Sequence, residues 1–259
     1  MKQPLAYIHP EAKIGKDVVI DPFVTIDANV EIGDGTRIYS GATILEGARI
    51  GRNCTIFPNA VISAIPQDLK FQGEETLAIV GDNTTLRECV TVNRGTAAKG
   101  KTVIGNGCLI MAYSHVAHDC IVGNNVIISN ATQLAGEVVV DDFAVIGGGT
   151  LVHQFCHLGS HVMIQGGALI NKDIPPYVKA ARDPIAYTGI NIVGLRRRGF
   201  SNEVIRDIQE IYRYIYMNNL NVSDAVERIE AELPATNERD EILQFIRNSQ
   251  RGIIRGYFS

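Results

Sequence analysis

The chain is 259 residues long, 46% hydrophobic and only 7% aromatic, with no Trp and a formal net charge of -4. That balance excludes the basic footprint of a nucleic-acid binder. There is no basic-then-apolar leader and no run of about 18 apolar residues that would cross a bilayer, so a cytoplasmic protein without a membrane span is expected.

From Ile8 the chain repeats with a period of six: Ile14, Ile20, Ile26, Ile32, Ile38, Ile44, Ile50, Ile56 and Ile62. The repeat lapses, returns at Val80, Leu86 and Val92, and lapses again. It then runs unbroken from Ile104 through Ile110, Val116, Val122, Ile128, Leu134, Val140, Ile146, Val152, Leu158 and Ile164 to Ile170. Four places after each aliphatic stands a small or β-branched residue, among them Thr36, Ala42, Cys54, Ala60, Cys108, Ser114, Cys120, Thr132 and Cys156. A helix of period 3.6 does not fit this spacing. Each hexad reads as one short strand and one corner, and three hexads close a triangular coil. Successive coils then stack about 4.8 Å apart through parallel strands. The aliphatic points inward and the small residue fills the narrowing of the prism. Four of the five cysteines fall on this small column, which reads them as packed hydrophobes rather than metal ligands or disulfides.

Two insertions, at about 63–79 and 93–103, interrupt the coil. In a solenoid, insertions become surface loops, often on the binding face. The first carries Gln67-Asp68-Leu69-Lys70 and is dense in polar groups. The second, with Arg94-Gly95-Thr96 and Lys99-Gly100-Lys101, reads equally as a binding loop or as a solvated basic loop. The repeat stops at Asp173-Ile174-Pro175-Pro176, where proline cannot donate to a ladder. From about Tyr187 the spacing turns helical. Helices are predicted from Ser201-Asn202 through Ile215, over 222–233 and over 238–251. The expected organisation is a β-coil domain, 1–186, and a small helical domain, 187–259, that caps the open end and covers its edge.

Five of six histidines lie between 115 and 161. Residues eighteen apart stack in neighbouring coils, so His118, Gly136 and Gln154 form one column, with His115 and His153 beside it. A histidine supplies a base near neutral pH. A glycine permits close approach of substrate to the backbone and offers an N–H to an oxyanion. Asp119 is placed to orient the imidazole. A zinc site built on His115 and His118 lacks an evident third ligand, and no cofactor is implied.

The motifs Gln67-Asp68-Leu69-Lys70, Thr91-Val92-Asn93-Arg94-Gly95-Thr96, His115-Val116-Ala117-His118-Asp119-Cys120, Val152-His153-Gln154-Phe155-Cys156 and Gly194-Leu195-Arg196-Arg197-Arg198-Gly199-Phe200 go further. On them the chain resembles, over nearly its whole length, the UDP-N-acetylglucosamine 3-O-acyltransferase family that opens lipid A synthesis. The resemblance implies an all-β left-handed parallel β-helix with a C-terminal helical domain. It also implies a homotrimer with active sites between neighbouring prisms, the loop of 63–79 reaching across to the next subunit. It implies His118 as general base supported by Asp119, and the Gly136 N–H on the oxyanion. Gln67 and Asp68 would contact the hydroxyacyl group or the sugar, and Lys70, His115, His153 and Gln154 would line the site. Asn191, Arg197 and Arg198 would contact the nucleotide or the acyl carrier protein. Gly166 occupies the position that sets acyl length, and glycine there implies a long chain. Two departures stand out: Glu137 where the family often has histidine, and Val193 where it often has Glu.

Other readings stay open on the residues alone. A 3-amino UDP-sugar acceptor would give an amide. An N-acyltransferase of the same pathway would carry a uridine-binding domain ahead of the hexads, for which a start at Ile8 leaves no room. A small-molecule acetyltransferase using coenzyme A is a further alternative, and a non-enzymatic solenoid scaffold would need no His118, Gly136 and Gln154 in one column.

Overall fold

The computed structural model describes residues 4–217 and 220–256. Hexads become short strands, mostly of two residues, separated by corners, and among the described residues the strands form three sheets of nine, eight and ten members, parallel throughout except for the last strand of the third. One face carries Tyr7–Ile8, Thr25–Ile26, Thr43–Ile44, Val61–Ala64, Thr91–Asn93, His115–Val116, Gln133–Leu134, Leu151–Val152 and Leu169–Ile170. It is called the first face below. The second face contains Ile121–Val122 and His157–Leu158, and the third contains Ile127–Ile128, Val145–Ile146 and Met163–Ile164. The chain is a left-handed parallel β-helix. Its register is the hexad register: Ile110 pairs with Ile128, and Ile128 with Ile146. Where the insertions intervene the partner is further along the chain, Ile62 with Val92 and Val92 with Val116.

The periodic aliphatics are the core. Ile26, Ile38, Ile44, Ile56, Ile62, Leu86, Ile104, Ile110, Ile128, Leu134 and Ile146 have no accessible surface. Burying each contributes about 1.5–3 kcal/mol. The small column is buried with them, Cys54, Cys108, Cys120 and Cys156 included. Burial pushes the Cys120 thiol up to about 12 and that of Cys156 up to about 11, so both stay protonated and inert. Among the described residues no group of His, Cys, Asp and Glu is arranged to hold a metal.

The corners need left-handed backbone. Asn29, Asn53, Asn59, Asn83 and Asn125 supply it with φ between 49° and 60°. The same conformation is imposed on Asp119, Glu137 and Phe155, where φ is 60°, 61° and 64°. These three are stacked in successive coils, next to the column of His118, Gly136 and Gln154. The coil imposes it equally on Phe23, Tyr113 and Phe143 at other corners, so it belongs to the solenoid turn rather than to the site.

The coil ends in an antiparallel hairpin, Val178–Ala181 against Ala186–Ile190. Four helices follow: α1 (Ile192–Arg197), α2 (Asn202–Met217), α3 (Val222–Glu232) and α4 (Asn237–Asn248). The last three match the predicted helices within a residue at their starts. The hairpin and α1 lack the periodicity that revealed the rest. The helices dock on the end of the coil through the Tyr212 hydroxyl, which donates to Pro176 O, and through Ser249 Oγ on Asp173 Oδ2 at 2.6 Å. No described helix is long and apolar enough to cross a membrane.

Candidate active site

His118 stands at the corner between the first and second faces. Its side chain retains 18% exposure and points out of the prism, while Asp119 beside it is fully buried. His118 Nδ1 lies 2.8 Å from Asp119 Oδ2. Burial alone would push the Asp119 carboxyl up, but hydrogen bonds from the Thr96 hydroxyl, from His118 and from the Thr96 N–H outweigh it and hold the carboxyl below its ordinary range. An ionised carboxylate only accepts, so Nδ1 carries a proton, and in the neutral imidazole the lone pair is then on Nε2. That tautomer is the one a general base needs.

Gly136 lies one coil away, and the stacking is in register: Glu137 N donates to His118 O and Phe155 N to Gly136 O. A Cβ at 136 would stand 2.6 Å from both Cε1 and Nε2 of His118. Only glycine lets the imidazole lie there. The Gly136 N–H has no hydrogen-bond partner among the described residues. A free donor beside a free base is the pair that acyl transfer requires. Gln154 continues the column, exposed, and His153 Nδ1 lies 3.1 Å from the Gln154 carbonyl. His115 pairs through Nδ1 with Thr91 Oγ1 at 2.7 Å. Burial, and next the charge of His118, lower its pKa, so it stays neutral. A largely apolar groove of about 440 Å³ runs along the first face, bordered by His115, Ala117, Leu134, Leu151, His153 and Leu169.

The remaining candidates lie elsewhere on the single chain. Gln67 and Lys70 are exposed on the first insertion, where Lys70 N donates to Asp68 Oδ1 at 2.9 Å. Asn191, Arg197 and Arg198 border a second groove, of about 970 Å³, between the third face and α1 and α2. Asn191 is engaged within the chain: it caps α1 by accepting from Gly194 N and donates from Nδ2 to His161 O at 2.9 Å. Arg198 Nη2 donates to Phe143 O at 2.9 Å, while its buried Nη1 has no partner among the described residues. Val193 is exposed on the rim of this groove. Gly166 is exposed at the corner after Met163–Ile164, where an added Cβ would stand 2.9 Å from Gly148 O. One chain therefore assembles His115, His118, Asp119, Gly136, His153 and Gln154. It does not bring Gln67, Asp68, Lys70, Asn191, Arg197 or Arg198 to them.

The second insertion holds residues that the sequence reading left unassigned. Thr96 N donates to Asp119 Oδ1 at 3.0 Å and Thr96 Oγ1 to Asp119 Oδ2 at 2.6 Å. Lys99 Nζ lies 3.4 Å from Asp119 O and 3.8 Å from Glu137 Oε2, so the glutamate at this unusual position is paired. Thr102 Oγ1 accepts from Asp119 N. A signal was present: Val92 pairs with Val116. The excursion therefore leaves the coil directly beneath the His-Asp pair.

Comparison with known proteins agrees with this geometry. Residues 173–254 match the family model described as UDP N-acetylglucosamine O-acyltransferase, domain 2. Residues 101–136 match the bacterial transferase hexapeptide model, and residues 2–104 the GMPPB C-terminal domain model. The acyl-[acyl-carrier-protein]–UDP-N-acetylglucosamine O-acyltransferase of Chlorobaculum parvum is 57% identical over 253 residues, covering 96% of this chain and 95% of the relative. The crystal structure of the UDP-N-acetylglucosamine acyltransferase LpxA of Bacteroides fragilis superposes with a TM-score of 0.96 at 60% identity, covering 98% of this chain and 100% of the other. LpxA of Acinetobacter baumannii superposes with a TM-score of 0.95 at 40% identity, covering 98% and 99%. With identity of this order along almost the full length of both partners, the chain belongs to the UDP-N-acetylglucosamine O-acyltransferase family.

Proposed function

We propose that this enzyme moves a 3-hydroxyacyl chain from acyl carrier protein to the 3-hydroxyl of UDP-N-acetylglucosamine, the first step of lipid A synthesis, with His118 as general base. The observation that carries the base assignment is the Asp119-bound His118 whose Nε2 lies over the side-chain-free Gly136. His118 Nε2 takes the proton of the sugar hydroxyl as its oxygen attacks the thioester carbonyl. The Gly136 N–H donates to the oxyanion that develops. Collapse expels the carrier thiolate, and His118 returns its proton to that sulfur. Asp119 stabilises the imidazolium between the two transfers. The apolar groove along the first face suits the hydrocarbon chain, and exposed Gly166 sets no bulky stop to it.

His118 and the Asn191–Arg198 segment lie on different edges of one prism, so a complete site needs two chains. The family relation favours a homotrimer in the cytoplasm, in which Gln67, Asp68 and Lys70 reach over from a neighbour. Arg197 and Arg198 then contribute cations for the nucleotide phosphates or the acidic carrier.

The test is acyl transfer from 3-hydroxyacyl carrier protein to UDP-N-acetylglucosamine by wild type and His118→Ala. Loss of the base should lower kcat by about 10²–10⁴ with the β-sheet circular dichroism unchanged. Wild-type-like turnover in the folded variant would remove His118 from the mechanism. Wild-type transfer to a 3-amino acceptor alone would move the product from ester to amide.

A further inference from the structure

We propose that Thr96 is a positioning residue for catalysis, fixing the Asp119 carboxylate so that it presents one oxygen to His118. The proposal rests on the reading of His118 as base and extends it to a group on a different segment of the chain.

Three observations carry it. Thr96 grips both carboxylate oxygens, N–H to Oδ1 and hydroxyl to Oδ2, and the second is the oxygen that holds His118 Nδ1. The carboxylate therefore cannot rotate about its last bond without breaking two hydrogen bonds. The direction of the hydroxyl proton is also fixed. Thr96 Oγ1 accepts from Ala98 N at 3.2 Å, which leaves its own proton for Asp119. Both Thr96 and Asp119 are buried, so water is poorly placed to replace either bond.

The third observation is that Thr96 is itself held from both sides by the first insertion. Thr76 Oγ1 donates to Gly95 O at 2.6 Å, and Glu74 Oε1 accepts from Ala97 N at 3.2 Å. Asn93 Nδ2 donates to Ile65 O at 2.8 Å, tying the base of one insertion to the other. The loop that bears Gln67, Asp68 and Lys70 thus clamps the two neighbours of the residue that aims the base. Lys99, close to both Asp119 O and Glu137, fastens the second insertion to the neighbouring coils.

The test is a double-mutant cycle on steady-state kinetics with Thr96→Val and Asp119→Ala, with Thr96→Ser as the conservative variant. Valine keeps the shape and removes the hydroxyl. Thr96→Val should lower kcat about tenfold or more, leaving KM for both substrates within about twofold in a variant that stays folded at the assay temperature. Thr96→Ser should recover most of kcat. In the Asp119→Ala background, Thr96→Val should change kcat little, because the group it acts through is gone. Full activity in Thr96→Val alongside an inactive His118→Ala would overturn the positioning role and leave the base intact. Additive losses in the cycle would also overturn it, since Thr96 would then act by another route. If Thr96→Val fails to fold, Thr96→Ala takes its place in the same cycle.

Discussion

A methyl group at position 136 would sit within 2.6 Å of two His118 ring atoms, inside any van der Waals contact. The ring must then leave its place over Gly136. On the proposed mechanism, Gly136→Ala should lower kcat about as far as His118→Ala does, roughly 10²-fold or more. The coil should survive, because the column points outward, and circular dichroism with kinetics would separate the two effects. His161 gives a residue-scale prediction of the opposite kind. It is stacked between Phe143 and Tyr177, with ring centroids 4.9 Å and 5.6 Å away, and Phe200 meets it edge-on. Burial, and next the Arg198 charge, push its pKa down to about 4, against a weaker opposing pull from Asp142. Between about 4 and the ordinary 6.5 the unfolded chain binds a proton that the folded chain refuses, so stability rises with pH across that window and is lost as pH falls through it. Melting temperatures of wild type and His161→Phe from pH 4.5 to 7 check this. The variant should show a shallower slope, and equal slopes would mean that His161 does not titrate as its surroundings dictate. Little of this residue-level detail was readable in the sequence. The hexad register brought His118, Gly136 and Gln154 together, but it is silent on side chains that meet through insertions. Thr96 escaped for that reason: its partner lies 23 positions away, across a gap in the repeat.

The elements divide by whether a period governs them. The inward aliphatics of the coil were legible position by position, since one displaced by a single place would turn outward, but the strands Val61–Ala64, Leu77–Val80, Thr91–Asn93 and Lys101–Ile104 run into the segments read as insertions. Helices α2, α3 and α4 were legible from apolar spacing, but the caps that open the last two were not: Asn221 accepts from Asp224 N, and Thr236 accepts from Arg239 N. The terminal hairpin and α1 were not, because tertiary contacts hold them. Asn191 N donates to Tyr177 O, and its amide spans His161 and α1. The docking of α4 was equally invisible. Its Glu241 accepts from Ser160 Oγ at 2.5 Å and from the Tyr177 hydroxyl, two buried groups of the coil's end. Glu241→Leu strands both donors. Each buried donor left unpaired costs about 1–3 kcal/mol, enough to lower the melting temperature by several degrees. Ser160→Ala, which removes a donor rather than the shared acceptor, should cost less. Scanning calorimetry of the two variants tests that order, and an equal or reversed ranking would mean that the carboxylate is not the anchor of α4.

At the scale of the whole molecule the prism separates what the chemistry must join. His118 and Gly136 lie at the corner of the first and second faces, whereas Arg197 and Arg198 border a groove on the third. Lys70 projects from the first insertion with no side-chain hydrogen bond or ion pair among the described residues. A stack of coils does not fold these edges onto one another, so the proposed function calls for assembly to do it. If a threefold assembly places the Lys70 loop of one chain over His118 of the next, two inactive variants should complement. Neither His118→Ala nor Lys70→Ala makes a working site alone. In mixed trimers, a site is intact when an unmodified His118 meets an unmodified Lys70 from its neighbour. Every mixed trimer of a cyclic assembly contains one such site in three, so doubly tagged material should show about a third of wild-type activity. Co-expression of the two chains with different tags, followed by double-tag purification and assay, measures this directly. Light scattering on the same material reports whether the particle is a trimer. Activity well above that of either parent variant requires sites shared between chains. Activity no greater than the parents' in confirmed mixed trimers would mean that each prism works by itself. The Lys70 loop would then have to reach His118 within its own chain.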